Sequence, residues 1–335
     1  MKQKMKSCCF LLFLEILILL SGCSSNNNNS ANTLRIGVAL YTQDDTFISS
    51  IVQNLEKLAQ QNENQNLKIN ITIMDGKSNQ TTQMEQIDQL IRRGCNFLCV
   101  NIVDRTAASV LIDKAKEADI PVIFFNRQPV AEDMERWEKA YYVGSKAEEG
   151  GKLQGQIVLD AWLNNKNIYD KNNDDTIQYV MLEGEPAHQD TLLRTEYSVK
   201  TLTDNDIKVE KLASDSANWS KSQAINKTTE WINQFNNNIE VVFANNDDMA
   251  LGAIDAFTNA GLDIPLIVGV DAIPSAIDAI KNGTLCGTVK NDAYGMASTM
   301  LDLILKLYND EKIDLNLQDE HYLWLQYEII TIKNA

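Results

Sequence analysis

From Leu34 onward, short and nearly continuous apolar runs alternate with longer segments in which apolar residues recur every three or four positions. Residues 34–41, 68–74, 97–101 and 121–125 read as strands, and 47–61, 82–93 and 107–118 between them read as helices. The pattern restarts at 141–144 and continues through strands at 177–182, 208–212, 241–244, 266–269 and 285–289. Helices are predicted at 148–163, 191–203, 221–235, 249–259, 275–281 and 293–308. This alternation predicts parallel sheets with helices on both faces. The strands outnumber what one compact sheet of ordinary size holds, so the fold class is α/β with two lobes. Ligands of such sheets gather at the carboxyl ends of the strands.

The pattern before Leu34 is of another kind. Lys2, Lys4 and Lys6 precede an apolar stretch over 8–20, too short to span a bilayer as a stable helix, and Leu20-Ser21-Gly22-Cys23 closes it. An Asn- and Ser-rich tail follows. The segment reads as an export signal, and its end resembles the lipobox of bacterial lipoproteins. That resemblance implies a signal peptide over 1–22, acylation of the Cys23 thiol and a flexible linker over 23–33. The protein would then be extracytoplasmic, touching the membrane through its lipid anchor only.

Composition narrows the function further. The 335 residues carry a net charge of −16, the reverse of what a phosphate backbone requires, so nucleic acid is not an expected partner. Cys95 and Cys99 flank one strand, about 13 Å apart, beyond disulfide reach. With Cys286 they read as small buried apolar residues. His188 and His321 are the two histidines, and the chain has no G-x-S-x-G elbow, phosphate-cradling glycine loop or zinc-spaced Cys/His cluster, so an enzyme is not expected.

Polar residues recur where strands end: Asp44, Asp45 and Phe47, then Asn101, then His188, Asp190 and Arg194, then Asn246, Asp271 and Asn291. Any one of them is an ordinary turn former or helix cap. Jointly they converge on one rim. Carboxylates accept from vicinal hydroxyls while amides and a guanidinium orient the remaining oxygens, so the set suits a neutral, polyhydroxylated ligand. Phe47 and Trp219 offer cover for the apolar faces of a sugar ring. Asp190 and Arg194 lie four apart, so on a helix they share a face and Arg194 can hold the carboxylate ionised.

These residues carry a resemblance. Arg35-Ile36-Gly37-Val38, Asp44-Asp45-Thr46-Phe47, Asn101-Ile102-Val103-Asp104, Gly184-Glu185-Pro186-Ala187-His188-Gln189-Asp190, Ala244-Asn245-Asn246-Asp247, Gly269-Val270-Asp271 and Val289-Lys290-Asn291-Asp292 resemble the galactose/glucose-binding proteins of bacterial ABC transport systems, over about residues 34–327. The resemblance implies a type I periplasmic-binding-protein fold: two Rossmann-like lobes with parallel sheets, a three-segment hinge, and D-galactose or D-glucose bound between them. On its terms Asp45 and Asn101 take hydroxyls on the first lobe, His188 contacts the 6-hydroxyl, and Asp190 with Arg194 holds the anomeric end. Asn246, Asp271 and Asn291 take the 2- and 3-hydroxyls, while Phe47 and Trp219 sandwich the ring. The lobes are expected at 34–122 plus 291–324 and at 123–290 plus 325–335, with crossings near 121–125, 289–291 and 324–326. The partners implied are the transmembrane subunits of an ABC permease, served by a monomer. An alternative is a sugar sensor that presents its closed form to a chemoreceptor or a histidine-kinase ectodomain.

A second motif, Asp170-x-Asn172-x-Asp174-x-Thr176-x-Gln178, places oxygen donors at alternate loop positions in the manner of an EF-hand. The twelfth position is Met181 rather than Glu, so the loop alone does not complete a shell. The resemblance supplies Glu240 as a bidentate ligand and implies a structural calcium ion. Asp175 stands where the sharp turn ordinarily uses Gly.

Overall fold

The structure, a computed structural model, describes residues 32–335 except Ala187. The export signal and Cys23 lie outside the described residues. Among the described residues no helix is long and apolar enough to cross a membrane.

Two six-stranded sheets carry the molecule. The first contains β1 (Asn32–Leu40), β2 (Leu67–Asp75), β3 (Phe97–Val100), β4 (Val122–Phe125), β5 (Ala140–Ser145) and β11 (Tyr322–Leu325), in the order β11-β5-β4-β3-β1-β2 with every pairing parallel. The second contains β6 (Thr176–Glu183), β7 (Lys208–Ser216), β8 (Val241–Ala244), β9 (Leu266–Asp271), β10 (Gly287–Lys290) and β12 (Glu328–Thr331). Its order is β12-β10-β9-β8-β6-β7, and only β12 runs antiparallel. Strands such as Phe97–Val100 and Val241–Ala244 are buried at every position, as parallel strands covered on both faces must be.

Helices α1 (Thr46–Asn62), α2 (Gln80–Arg92), α3 (Ala108–Glu117), the short α4 (Ala131–Met134) and α10 (Ala293–Tyr308) belong with the first sheet. Helices α5 (Ala147–Tyr169), α6 (Gln189–Thr203), α7 (Lys221–Phe235), α8 (Asp247–Ala260) and α9 (Pro274–Lys281) belong with the second. One core of the first lobe joins Leu34, Ile36 and Val38 to Ile51, Leu55 and Met300, and another joins Leu98 and Val100 to Leu111 and Tyr142. Trp162 and Phe243 mark one side of the second sheet, Val242 and Phe257 the other.

The sheet pairings correct the expected lobe boundary. The sequence places a crossing near 121–125 and starts the second lobe at 123, but Val122 pairs with Ala140 and Phe125 with Val143 inside the first sheet. The first crossing is therefore at Ser145–Lys146, between β5 and α5. Periodicity locates strands but does not say which sheet they join, and the polar connection over 126–139 reads as a linker. The other crossings run from Lys290 to Ala293 and between Leu325 and Glu328. Two smaller expectations also change. Asn32 and Thr33, assigned to the linker, already pair with Leu67 and Lys68 in the first sheet. Cys286 is half-buried, unlike the buried Cys95 and Cys99.

One device recurs at the carboxyl edge of each sheet. Gln83 Nε2 donates to the carbonyls of Ala39 at 3.3 Å and Asn101 at 2.9 Å, and Gln154 Nε2 donates to those of Ala244 at 2.7 Å and Val268 at 3.3 Å. Each buried amide satisfies two strand-end acceptors and so stiffens the rim where ligands bind.

Helices α5 and α6 touch backbone to backbone. A Cβ on Gly151 would lie 3.0 Å from Arg194 Cα, and one on Gly155 would lie 2.4 Å from the Ser198 carbonyl oxygen. Gly155→Val should force the helices apart and destabilise the protein by about 1–3 kcal/mol. A lowered urea midpoint at unchanged m-value checks this; an unchanged midpoint would mean that the helix pair yields without strain.

Candidate functional site

Strand ends of both sheets face one cleft, walled by Tyr41, Asp45, Phe47, Ile48, Asn126, Arg127, His188, Asp190, Arg194, Trp219, Asn246 and Asp271. The bland and the functional readings of the strand-end residues turn out to be compatible. Asp45 caps α1, its Oδ1 accepting from Ile48 N at 2.9 Å, while Oδ2 accepts from the Tyr41 hydroxyl at 2.6 Å. His188 caps α6 and Asn246 caps α8. A cap has one fixed rotamer, so each of these side chains is held still before any ligand arrives.

The electrostatic centre is Arg194, 3% exposed. It donates to Asp190 Oδ2 at 2.7 Å, to the Asn245 carbonyl at 2.9 Å and to the Tyr327 hydroxyl at 3.2 Å. Burial works against its charge, but Tyr327, Asp190 and Asp271 outweigh that and hold it above the ordinary guanidinium range. Burial pushes Asp190 up, opposed by Arg194, Arg127 and Arg105. Burial likewise pushes Asp271 well above the usual carboxylate range; Arg194 opposes it, and Asp247 and Asp45 reinforce it. His188 is driven well below its ordinary value by burial and by Arg127, Arg194 and Arg105. It is therefore neutral. Its Nδ1 accepts from Asp190 N at 3.0 Å, so the 3.8 Å approach to Asp190 Oδ1 is not an ion pair and the proton sits on Nε2.

Backbone strain is built into the wall. Trp219 has φ +63° and Asp271 φ +123°, and non-glycine residues hold such angles at a cost of order 1–3 kcal/mol each. The indole of Trp219 meets the His188 ring edge-on at 5.1 Å, with the Arg194 guanidinium 6.0 Å from its centroid. Gly184 makes room for it, since a Cβ there would lie 2.2 Å from the indole. Among the described residues, Arg194 Nε and Trp219 Nε1 are buried donors without a protein partner. A ligand rich in acceptor oxygens would answer them.

Of the residues expected in the site, Asp45, Phe47, His188, Asp190, Arg194, Trp219, Asn246 and Asp271 are brought together on the cleft wall. Asn101 and Asn291 are not. The Asn101 amide is turned to the Phe125 carbonyl at 3.0 Å and Asn126 Oδ1 at 3.2 Å, which places it behind Asn126. Asn291 sits at the second crossing, where its Oδ1 accepts from Ser145 Oγ at 3.2 Å and its side chain hydrogen-bonds Asp271.

Sequence reasoning missed Tyr41, Asn126, Arg127 and Tyr327. The Arg127 guanidinium lies 3.6 Å from the Tyr41 ring centroid, donates to the Val103 carbonyl at 3.1 Å and meets Glu185 of the other lobe at 2.9 Å. Asn126 and Arg127 follow β4 as Asn101 follows β3, so the strand-end rule applies to them as well. With Arg127 in place only about 20 Å³ of the cleft is free, about one water, so a pyranose needs the lobes or Arg127 to withdraw.

The acidic loop after α5 is built from Asx turns. Asp170 accepts from the N–H groups of Asp174 and Asp175, both at 3.1 Å, and Asp174 from Thr176 N at 2.8 Å. Glu240 reaches in from the start of β8 and accepts from Lys171 N at 2.6 Å and Gln178 N at 3.0 Å. Asp175 is left-handed at φ +63°, the conformation its position demands, and it pairs with Lys166. Burial raises the Glu240 carboxyl, and Asp170 and Asp174 add to the effect. Gln178 Oε1 is a buried acceptor without a partner. These features fit a cation. Against that, no group of three or more His, Cys, Asp or Glu among the described residues is arranged to hold a metal ion, because the carboxylates are turned to loop N–H groups.

A family model described as a periplasmic binding protein domain matches residues 36–312. The D-galactose/methyl-galactoside binding periplasmic protein MglB of Haemophilus influenzae is 39% identical over 270 residues, 80% of this chain and 80% of that protein. The ribose import binding protein RbsB of Bacillus subtilis is 26% identical, over 76% of this chain and 75% of that protein. Among solved structures, an ABC transporter solute binding protein from Bacillus halodurans with bound myo-inositol has a TM-score of 0.74 at 26% identity, covering 92% of this chain and 97% of that one. A periplasmic solute binding protein from Actinobacillus succinogenes with bound D-allose has a TM-score of 0.76 at 24% identity, covering 90% and 98%.

Asp247 yields a pH prediction. It is fully buried behind the cleft, accepting from Thr288 Oγ1 at 2.6 Å and Ile273 N at 3.0 Å, and burial lifts its carboxyl to about 7 in spite of those bonds. The folded protein keeps a proton there that the unfolded chain releases near pH 4, so this contribution to stability falls as pH rises from about 4 to 7 and is level above. Asp247→Asn should flatten that decline in a series of thermal melts. Parallel melting curves for the two proteins across the window would show that Asp247 ionises freely.

Proposed function

The chain belongs to the periplasmic binding protein family, and from that membership we propose that it captures D-galactose or D-glucose between its lobes and delivers it to the transmembrane subunits of an ABC permease. The family and its D-galactose-binding relative make it an extracytoplasmic sugar-binding protein of ABC transport and not an enzyme.

The observation that carries the hexose is the joint presence of ionic and aromatic groups on one wall. Asp190 and Arg194 form a buried charged pair, Asp271 and Asn246 stand beside them, and Phe47 and Trp219 supply apolar faces from opposite lobes. Hydrogen bonds to charged groups contribute about 1.5–3 kcal/mol each in such a site. The Haemophilus relative named for D-galactose supports this choice of sugar. A ligand held by both lobes binds the closed form better and shifts the population toward closure, which a permease can read. The protein acts as a monomer, and acylation of Cys23 keeps it at the membrane through the linker.

Calcium in the acidic loop belongs to the same proposal. Asp170, Asn172, Asp174, the Thr176 carbonyl, Gln178 and Glu240 would hold it, its charge offsetting the crowded carboxylates and bracing the end of α5 against β6 and β8.

Isothermal titration should give tight binding of D-galactose or D-glucose and weak binding of ribose, and Trp219→Ala should weaken hexose binding at least tenfold. Ribose binding while both hexoses fail would overturn the assignment. Chelator should lower the melting temperature, and added calcium restore it, with less than threefold change in hexose affinity; melts indifferent to both would leave the loop without a metal.

A further inference from the structure

Beside the cleft lies a second, larger cavity of about 260 Å³, close to the lower end of the range for small-ligand sites. Both lobes build it. Ile102, Val103 and Arg105 come from the segment after β3, Arg127 and Gln128 from the segment after β4, and Glu185, His188 and Gln189 from the approach to α6. Arg127 and His188 line this cavity and the cleft alike, so the Arg127–Glu185 pair is the partition between them.

We infer that this cavity is a second subsite, which takes a neutral substituent the size of a second sugar ring attached to the hexose at its His188 end. The protein would thereby accept hexosyl disaccharides as well as the free sugar. The inference rests on the reading of the cleft as a hexose site.

Charge and chemistry select that occupant. The two guanidiniums are already engaged: Arg105 donates to the carbonyls of Gln128 at 3.0 Å and Pro129 at 3.3 Å, and Arg127 is bound to Val103 and Glu185. Asp104 and Glu185 balance them within the same lining. Arg127 is paired with Glu185 and Arg105 is fixed on two carbonyls, so an anionic substituent would have to approach the Glu185 and Asp104 carboxylates of the same lining. Ile102 and Val103 offer an apolar wall, and the amides of Gln128 and Gln189, bonded to each other across the lobes at 3.0 Å, can be exchanged for hydroxyls. An apolar face edged by neutral amides is what a pyranose ring requires.

The test is calorimetry of the full-length protein with D-galactose, D-glucose and a panel of their disaccharides linked in turn through each hydroxyl, repeated on Val103→Trp and Val103→Phe, which fill the cavity to different extents from the first lobe. At least one linkage should bind the parent within tenfold of the free hexose. Either folded variant, verified by its thermal melt, should lose that disaccharide tenfold or more while keeping the free hexose within twofold. Hexose binding with every disaccharide rejected would overturn the second subsite and leave the hexose site standing, as would a disaccharide that both variants bind like the parent. Absence of binding by hexoses and disaccharides together would overturn the sugar reading and this inference with it.

Discussion

The cleft depends on one buried positive charge. Asp190 and Asp271 stand in a closed, water-poor space with Asp45 nearby, where carboxylates left to themselves take up protons and cease to be pure acceptors. Arg194 opposes that at both buried acids, and it touches Asp190, Asn245 and Tyr327 at once. Its position is set by the helix that carries it. His188 starts the helix, the spacing of four puts Arg194 above Asp190, and Gly151 lets α5 press against the Arg194 backbone. Packing of two helices is thus converted into acceptor strength at a strand end.

The same economy of parts governs the rest of the wall. Asp45, His188 and Asn246 each use one polar atom to start a helix, so their remaining atoms are aimed without any added ordering of flexible side chains. Trp219 and Asp271 hold their side chains through left-handed or otherwise unusual backbone, which persists because close-packed neighbours determine it on every side. Preorganisation of this kind lowers the entropy lost on binding, and it suits a protein that must recognise a small, heavily hydrated solute.

Closure couples the lobes through few contacts. Arg127 meets Glu185, Gln128 meets Gln189, and Thr46 hydrogen-bonds Asp248. All three crossings also reach the site: Ser145 binds Asn291, Asn291 binds Asp271, and Tyr327 binds Arg194. Bending at the crossings and rearrangement of the wall are therefore one event. A ligand that satisfies the wall biases the hinge by its differential affinity for the closed form, and by no more than that.

How much of this was legible follows from the range of each interaction. The helices at 221–235 and 293–308, the two-lobed α/β class, the polar residues at strand ends and the alternating oxygens of the 170–178 loop were determined by the sequence itself, because periodicity, capping and turn chemistry act over a few residues. Tertiary structure alone decided that β5 joins the first sheet, that Asn101 faces Asn126 rather than the cleft, that Tyr41 and Arg127 join the wall, and that Tyr327 bonds Arg194. Those outcomes depend on strand order and on partners such as Arg127 with Glu185 or Arg194 with Tyr327, distant along the chain and adjacent only once both sheets are built. No local pattern encodes them, since the energy that selects them comes from burial and pairing that exist only in the folded molecule.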